Sequence, residues 1–376
     1  MGRGPGPKPC DEFEISLIYE DVFDIRRMVI DKSNGNLHVL LLSALDDTGS
    51  GIYGFSTNKG ETWTFRNILE IIPGAVDLDL DKDGTPFILS RPTKTTLQVH
   101  SSLDQGATWD KTTTDPSVPE QEEEIGGFTC VIHIDSSNDI HVIYGIETKL
   151  YYTILRDTGV GWNQHKLISD DYVENTRPAM KSVNDNARIA FATREILGTT
   201  ELRYASTATD GDSWTFNKVF DFQANSCELI IDSNNQPHII PSDATGEDDD
   251  NSYYIYSEDN GINWVIKEIP IMNSNYLGVV SFDLDAYNNP HAVYRTLTDP
   301  DNNTQVNYTY SIDKGITWDT RFLDKTGRGG GGVSFSAIYQ QLVMDDNSVR
   351  ICYISFLPPK PLPDNRGNIY FASCDQ

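Results

Sequence analysis

A chain of 376 residues with 29 basic against 56 acidic side chains carries a formal net charge of −27. Such a surface disfavours nucleic acid and anionic membranes as partners, and its acidity is the ordinary mark of a solvated exterior. No apolar run approaches the roughly 20 residues of a membrane helix, and the opening MGRGPGPKPC lacks the apolar core of a signal peptide.

Residues 1–10 read as a tail, and a single domain runs from 11 to 376. Its first element, DEFEISLIYED (11–21), is a strand with no partner next to it in sequence. A repeating unit follows. MVIDKSNGNLHVLLL (28–42) reads as strand, tight polar turn and strand, because β-branched and aliphatic residues flank Asp, Asn and Gly. The pattern recurs at LDLDKDGTPFILS (78–90), VIHIDSSNDIHVIY (131–144) and MKSVNDNARIAFA (180–192). It returns at LIIDSNNQPHIIP (229–241), FDLDAYNNPHAVY (282–294) and QLVMDDNSVRICYI (341–354).

In the first six units a third strand, such as GIYGFS (51–56), leads into a box ending in Trp, and a fourth strand follows. The boxes are STNKGETW (56–63), SLDQGATW (102–109), LRDTGVGW (155–162), TATDGDSW (207–214), SEDNGINW (257–264) and SIDKGITW (311–318). They hold all six tryptophans, Trp63, Trp109, Trp162, Trp214, Trp264 and Trp318, spaced by 46, 53, 52, 50 and 54 residues. A period near 50 is the mark of a repeat architecture. Four strands repeated seven times predict an all-β fold, a seven-bladed β-propeller of four-stranded antiparallel blades.

The seventh unit is incomplete. NIYFASCDQ (368–376) supplies a third strand and the start of a box, with no fourth strand after it. The strand at 11–21 fits that place, completing the last blade, closing the ring and covering an exposed sheet edge. Antiparallel pairing then sets Cys10 beside Cys374, and a disulfide between them is expected in an oxidising compartment. Cys130, Cys227 and Cys352 read as buried thiols.

The spacing S-x-D-x-G-x-x-W solves a turn problem. The Asp accepts hydrogen bonds from turn N–H groups, Gly takes a positive φ, and Trp folds over the turn against the sheet. The box is therefore a structural clasp, and the degenerate copies at Trp162 and Trp214 should hold looser turns. His38, His141, His238 and His291 open the second strand of their units. One per blade, they stand too far apart to share a zinc ion and read as braces of the turn.

These boxes resemble the Asp-box (BNR-repeat) propellers, the sialidase superfamily in the broad sense, over essentially the whole chain. The resemblance implies a carbohydrate-engaging propeller, with sialidase-type exo-glycosidase action on acidic glycans as its catalytic form. A non-catalytic lectin or protein-interaction scaffold is the alternative, and a polysaccharide lyase on the same fold is a third. DIRR (24–27) and SALDDTGSG (43–51) are similar in order and spacing to the family opening. By that resemblance Arg26 (or Arg27) would hold a substrate carboxylate through its planar fork, and Asp47 (or Asp46) would assist proton transfer. The segment 191–214 is similar to the one carrying the family's second Arg, here Arg194, and Tyr339 in SFSAIYQQL (334–342) would be the nucleophile. Arg177 and Pro178 stand where the family carries a Glu, and seven blades are counted where family sialidases mostly have six.

Arg91, Arg194 and Arg295 each lie ten residues beyond their turn positions Asp81, Asn184 and Asp285. That register puts them at one height, facing one mouth and suited to an anionic glycan, with pairing to nearby carboxylates as the competing reading. No metal site and no cofactor is implied, except that the acidic loop GEDDDNS (246–252) is a candidate for Ca²⁺, against which stands simple solvation. The expected molecule is an extracellular or cell-surface monomer whose partner is a glycan or glycoconjugate.

Overall fold

The computed structural model describes the chain apart from residues 1–9, 11, 43–50, 69–74, 114–123, 127–128, 157–160, 174–175, 195–199, 222–223, 225, 243–251, 271–280, 298–303, 327–339, 346–347, 356–365 and 376. Among the described residues are seven four-stranded antiparallel sheets and no helix, the seven-bladed propeller the repeat predicts. The inner strands are Asp24–Asp31, Ala75–Leu80, Val131–Ile134, Ala179–Val183, Ser226–Ile231, Ser281–Leu284 and Gln340–Asp345, in blades 1 to 7. Each touches the next around the ring, and the seventh touches the first. In blades 1 to 6 the remaining strands follow in chain order outward from the axis.

Blade 7 takes its outer strand from the start of the domain. Glu14–Val22 runs antiparallel to Gly367–Cys374, with Glu14 opposite Ser373 and Val22 opposite Gly367. Just ahead of that strand Cys10 is disulfide-bonded to Cys374, their Cα atoms 5.8 Å apart. Cys130, Cys227 and Cys352 are free and buried.

The core is a series of seams. Leu89 and Val99 of blade 2 share a buried cluster with Ile132 and Tyr144 of blade 3, and every such side chain removed from water contributes about 1.5–3 kcal/mol. The Trp boxes finish these seams. In blade 2 the N–H of Thr108 donates to Asp104 Oδ1 at 2.7 Å and that of Gly106 to Ser102 Oγ at 2.7 Å. The indole of Trp109 donates to the Gly106 carbonyl at 3.2 Å and meets Tyr53 of blade 1 edge-on, centroids 5.3 Å apart. The same edge-on contact joins Phe371 to Trp63, Tyr152 to Trp214, Tyr204 to Trp264 and Tyr254 to Trp318, at 5.3–5.9 Å. The box therefore clasps its own turn and also docks its blade on the preceding one. Its glycine is needed twice over. Gly106 has φ +83°, and a Cβ there would stand 2.5 Å from the Tyr53 ring.

The blade 4 box keeps both turn bonds, each longer than in blade 2. Thr207 and Thr209 take the places of Ser and Asp, accepting the N–H groups of Gly211 at 3.1 Å and Ser213 at 2.9 Å. A hydroxyl acceptor closes the same turn without a charge. The seam between blades 6 and 7 has no Trp box. Phe13 meets Tyr308 edge-on at 5.3 Å instead, beside the Cys10–Cys374 bond.

The histidines brace the turns, as their position predicts. His141 Nε2–H donates to Asp135 Oδ2 at 2.9 Å, which leaves Nδ1 to accept from the Tyr152 hydroxyl at 2.8 Å. His38, His238 and His291 contact Tyr53, Tyr254 and Tyr308 through the same ring nitrogen. In blade 2 the pair is replaced by Phe87 and Val99, an apolar substitute at the same register.

Candidate functional site

Successive residues of a strand face opposite ways, so alternate residues of each inner strand look onto the ring axis. Four residues ahead of the turn aspartates Asp31, Asp81 and Asp232 stand Arg27, Asp77 and Glu228. Arg27 Nη1 reaches from blade 1 to both carboxylate oxygens of Glu228 in blade 5, at 3.3 and 3.2 Å. Arg177, just ahead of the inner strand of blade 4, sends Nη2 to Asp77 Oδ1 at 3.1 Å and Nη1 to the Arg26 carbonyl at 3.4 Å. Its own carbonyl accepts the N–H of Cys227, fixing it to blade 5. The Arg26 guanidinium lies 3.4 Å from Asp24. Two ion pairs, Arg27 with Glu228 and Arg177 with Asp77, thus join separate blades at the upper part of the channel, beside an Arg26–Asp24 pair on the blade 1 strand, whose register shifts between Ile25 and Arg27.

Burial shapes the chemistry of this cluster. It works against the charge of Arg27, but Glu228, Asp77 and Asp79 more than offset it and hold the guanidinium firmly protonated. Burial also raises the Asp77 carboxyl above the ordinary carboxylate range, Arg177 and Arg27 compensating only in part. A carboxyl so placed is easier to protonate than a surface one, and it is fixed by the Ile132 N–H, which donates to Asp77 Oδ2 at 3.1 Å.

Below the ion pairs the channel opens into a cavity of about 430 Å³. Its wall runs from Arg27 and Glu228 down to the hairpin-turn residues Lys32, Ser136 and Asn235. Axis-facing carboxylates stitch neighbouring blades along this wall. Asp79 accepts the Ile134 N–H at 3.0 Å, and Asp283 accepts that of Met344 at 3.0 Å.

Of the residues singled out from the sequence, Arg27 lines the channel, and Arg26 joins the network through its carbonyl, which Arg177 reaches. Arg91 and Arg295 do lie near the upper ends of second strands, yet both are buried. Arg91 Nη1 donates to the Ile125 carbonyl at 2.5 Å, and Arg295 Nη2 to the hydroxyls of Thr304 and Thr326 at 2.7 and 2.8 Å. A second strand is hydrogen-bonded on both edges and flanked on the axial side by the first, and these guanidinium groups meet acceptors on the connection to blade 3, for Arg91, and within blade 6, for Arg295. Arg194 ends the second strand of blade 4, Asn186–Arg194. Asp47, Asp46, Tyr339 and the stretch 246–251 of the acidic loop lie outside the described residues. Among the described residues no group of three or more His, Cys, Asp or Glu could hold a metal ion, and no helix is long and apolar enough to cross a membrane.

The sequence reading gave Arg177 no functional role and passed over Asp77 and Glu228. The available signal was an ionisable residue four positions ahead of the turn residue, three times in seven repeats.

No protein-family model matches the chain, and no curated protein matches it in sequence. Solved structures match it in fold. A PL25 ulvan lyase, a polysaccharide lyase bound to GlcA(1-4)Rha3S, is similar over 95% of this chain and 95% of its own, with TM-score 0.60 and 10% identity. The endosialidase of phage phi92 is similar over 96% of this chain and 69% of its own, with TM-score 0.60 and 9% identity. An arginine triple mutant of AofleA from Arthrobotrys oligospora is similar over 83% of this chain and 90% of its own, with TM-score 0.51 and 13% identity. At such identities the likeness is one of architecture, and this chain is by fold a seven-bladed β-propeller.

Proposed function

We propose that the protein is an extracellular, monomeric Asp-box propeller that engages an acidic carbohydrate at the upper end of its central channel. The observation that carries this reading is the meeting of Arg27 with Glu228 and Arg177 with Asp77 at the channel, with the Arg26–Asp24 pair linked to them through the Arg26 carbonyl. A guanidinium grips a carboxylate through two parallel hydrogen bonds. A sialate or uronate carboxylate would replace Asp24 as the partner of Arg26, the longest of the three ion-pair contacts at 3.4 Å. On this reading Arg194 supplies a second fork, and Arg91 and Arg295 act from behind by holding the upper ends of their strands.

Sialidase-type hydrolysis is the catalytic form, with Asp47 in proton transfer and Tyr339 as nucleophile. A uronate-cleaving lyase is the second reading. The raised Asp77 carboxyl beside Arg177 favours it, since a lyase neutralises the substrate carboxylate before a base removes the α-proton. The fold neighbour's bound glucuronate-containing chain adds to that case.

A glycan array of sialylated and uronic-acid glycans, read beside a fluorogenic sialoside assay and the ultraviolet absorbance of unsaturated uronate, tests the reading. Binding to acidic glycans that Arg26→Ala abolishes is the expected result. Sialoside turnover marks the hydrolase, new absorbance the lyase, and binding with neither a lectin. Silence on every acidic glycan overturns the proposal.

A further inference from the structure

The lower cavity holds a second arrangement, built from residues other than the arginines above it. Asp79, His133 and Ser182 stand in three successive blades, and all three line the cavity. His133 Nδ1 lies 2.9 Å from Asp79 Oδ2, and His133 Nε2 lies 3.0 Å from Ser182 Oγ. Asp79 fixes the direction of both bonds. An ionised carboxylate only accepts, so the imidazole proton sits on Nδ1 and Nε2 must accept from the serine hydroxyl. We propose that Ser182, His133 and Asp79 form a nucleophilic site for acyl transfer, hydrolysing a short-chain O-acyl ester from the hairpin-turn end of the channel.

The electrostatics agree with that order. Burial disfavours the charged form of Asp79, but the bond from His133 and the charge of Lys181 hold its carboxyl below the usual range. Burial likewise keeps His133 below the ordinary imidazole value, more than Asp79 restores, so it stands neutral near pH 7 with the Nε2 lone pair available to the serine. The serine is held in place by a tight turn. Ser182 is one residue short of a two-residue hairpin, Asn184 and Asp185, whose φ values are +47° and +62°. The hydroxyls of Ser136 and Ser137, in the turn that follows His133, donate to the two oxygens of Asp185 at 2.7 and 2.8 Å. Nucleophile and base are therefore carried on hairpins pinned to each other. Lys181, also on the cavity wall, supplies positive charge for an oxyanion.

The step balances as follows. Ser182 Oγ bonds to the ester carbonyl carbon while His133 Nε2 takes its proton. The ester C–O bond then breaks, and the alkoxide leaves as an alcohol with that proton. Water attacks the acyl-serine, His133 takes its proton and returns it to Ser182 Oγ, and a carboxylic acid departs. A cavity of about 430 Å³ sits at the small end of ligand sites. It has room for a short acyl chain against Val29, Ile230 and Val343.

The probes are a fluorophosphonate and p-nitrophenyl acetate, used on the intact protein. The expected result is one covalent adduct, mapped by tandem mass spectrometry to Ser182 in the unmodified chain, so that the assignment does not depend on a variant folding. Ester hydrolysis should fall to the buffer rate in Ser182→Ala, and labelling should slow about 100-fold or more in His133→Ala. No adduct, an adduct on another residue, or unchanged hydrolysis in a Ser182→Ala protein with wild-type melting temperature overturns the proposal. None of these outcomes bears on glycan binding at the other end of the channel, which Arg26→Ala reports separately.

Discussion

At the hairpin end of the ring, Trp63, Trp109, Trp214, Trp264 and Trp318 each meet an aromatic ring of the preceding blade within a narrow range of distance, 5.3–5.9 Å. At the axis one repeat position is filled by Arg27, Asp77, Glu228, Ser281 and Gln341 in five different blades. The contrast follows from what each place must do. A seam between blades needs one shape, repeated, because the sheets meet at the same angle every time. The axis is a surface to which each blade brings one or two side chains, so nothing in the strand pairing restrains their chemistry. Uniformity marks the scaffold, and difference marks where function can be written.

The comparison can be broken most forcefully at the axis. Arg27→Met leaves Glu228 buried without its partner, and unfolding in denaturant should show a loss of about 3–5 kcal/mol. Arg27→Met combined with Glu228→Leu should recover most of that loss, since no lone charge remains. A single variant with wild-type stability would mean that the cross-ring pair does not form. The closure comes next. Replacing Cys10 and Cys374 by Ser should cost about 2–4 kcal/mol, read in the same experiment.

The His38 brace makes the hairpin end of blade 1 sensitive to acid. Burial lowers His38 from 6.5 to about 4, with Asp31 opposing. The unfolded chain then takes up the proton first, so stability falls as the pH drops from about 6.5 toward about 4, by on the order of 2–3 kcal/mol for this one group. Melting temperature followed over that range should lose part of its slope in His38→Gln.

At a seam, Gly106→Ala drives a methyl group into the Tyr53 ring at a positive φ and should cost about 1–3 kcal/mol. The smallest effect sharpens the comparison. Thr209→Asp restores the acidic residue of the blade 4 box and should stabilise by under about 1 kcal/mol, visible as a slight rise in melting temperature.

The blades and their closure were legible because they rest on local signals. Strand, turn and box recur every fifty or so residues, and the incomplete seventh unit leaves one vacancy that residues 11–21 fill. The second role of the Trp was hidden, because Tyr53 and Trp109 meet only once two blades lie side by side. The axial cluster was less legible still. Arg27 and Glu228 are separated by 201 residues, and which inward residues meet across the ring depends on rotamers that no periodicity encodes. Arg91 and Arg295 stand at the height their register predicts, but height along a strand does not say which way a side chain turns.

One indole at each of six seams makes the molecule optically addressable. A chain keeping only Trp109 would report, through its emission and its exposure to a quencher, when blades 1 and 2 part company, and the five sister chains would report their own joints. The seventh joint, where Phe13 lies against Tyr308 next to a covalent bond, stays dark and fastened. Reduction should release that joint before the others, so the order in which the six signals then change would trace how a circle of sheets comes undone.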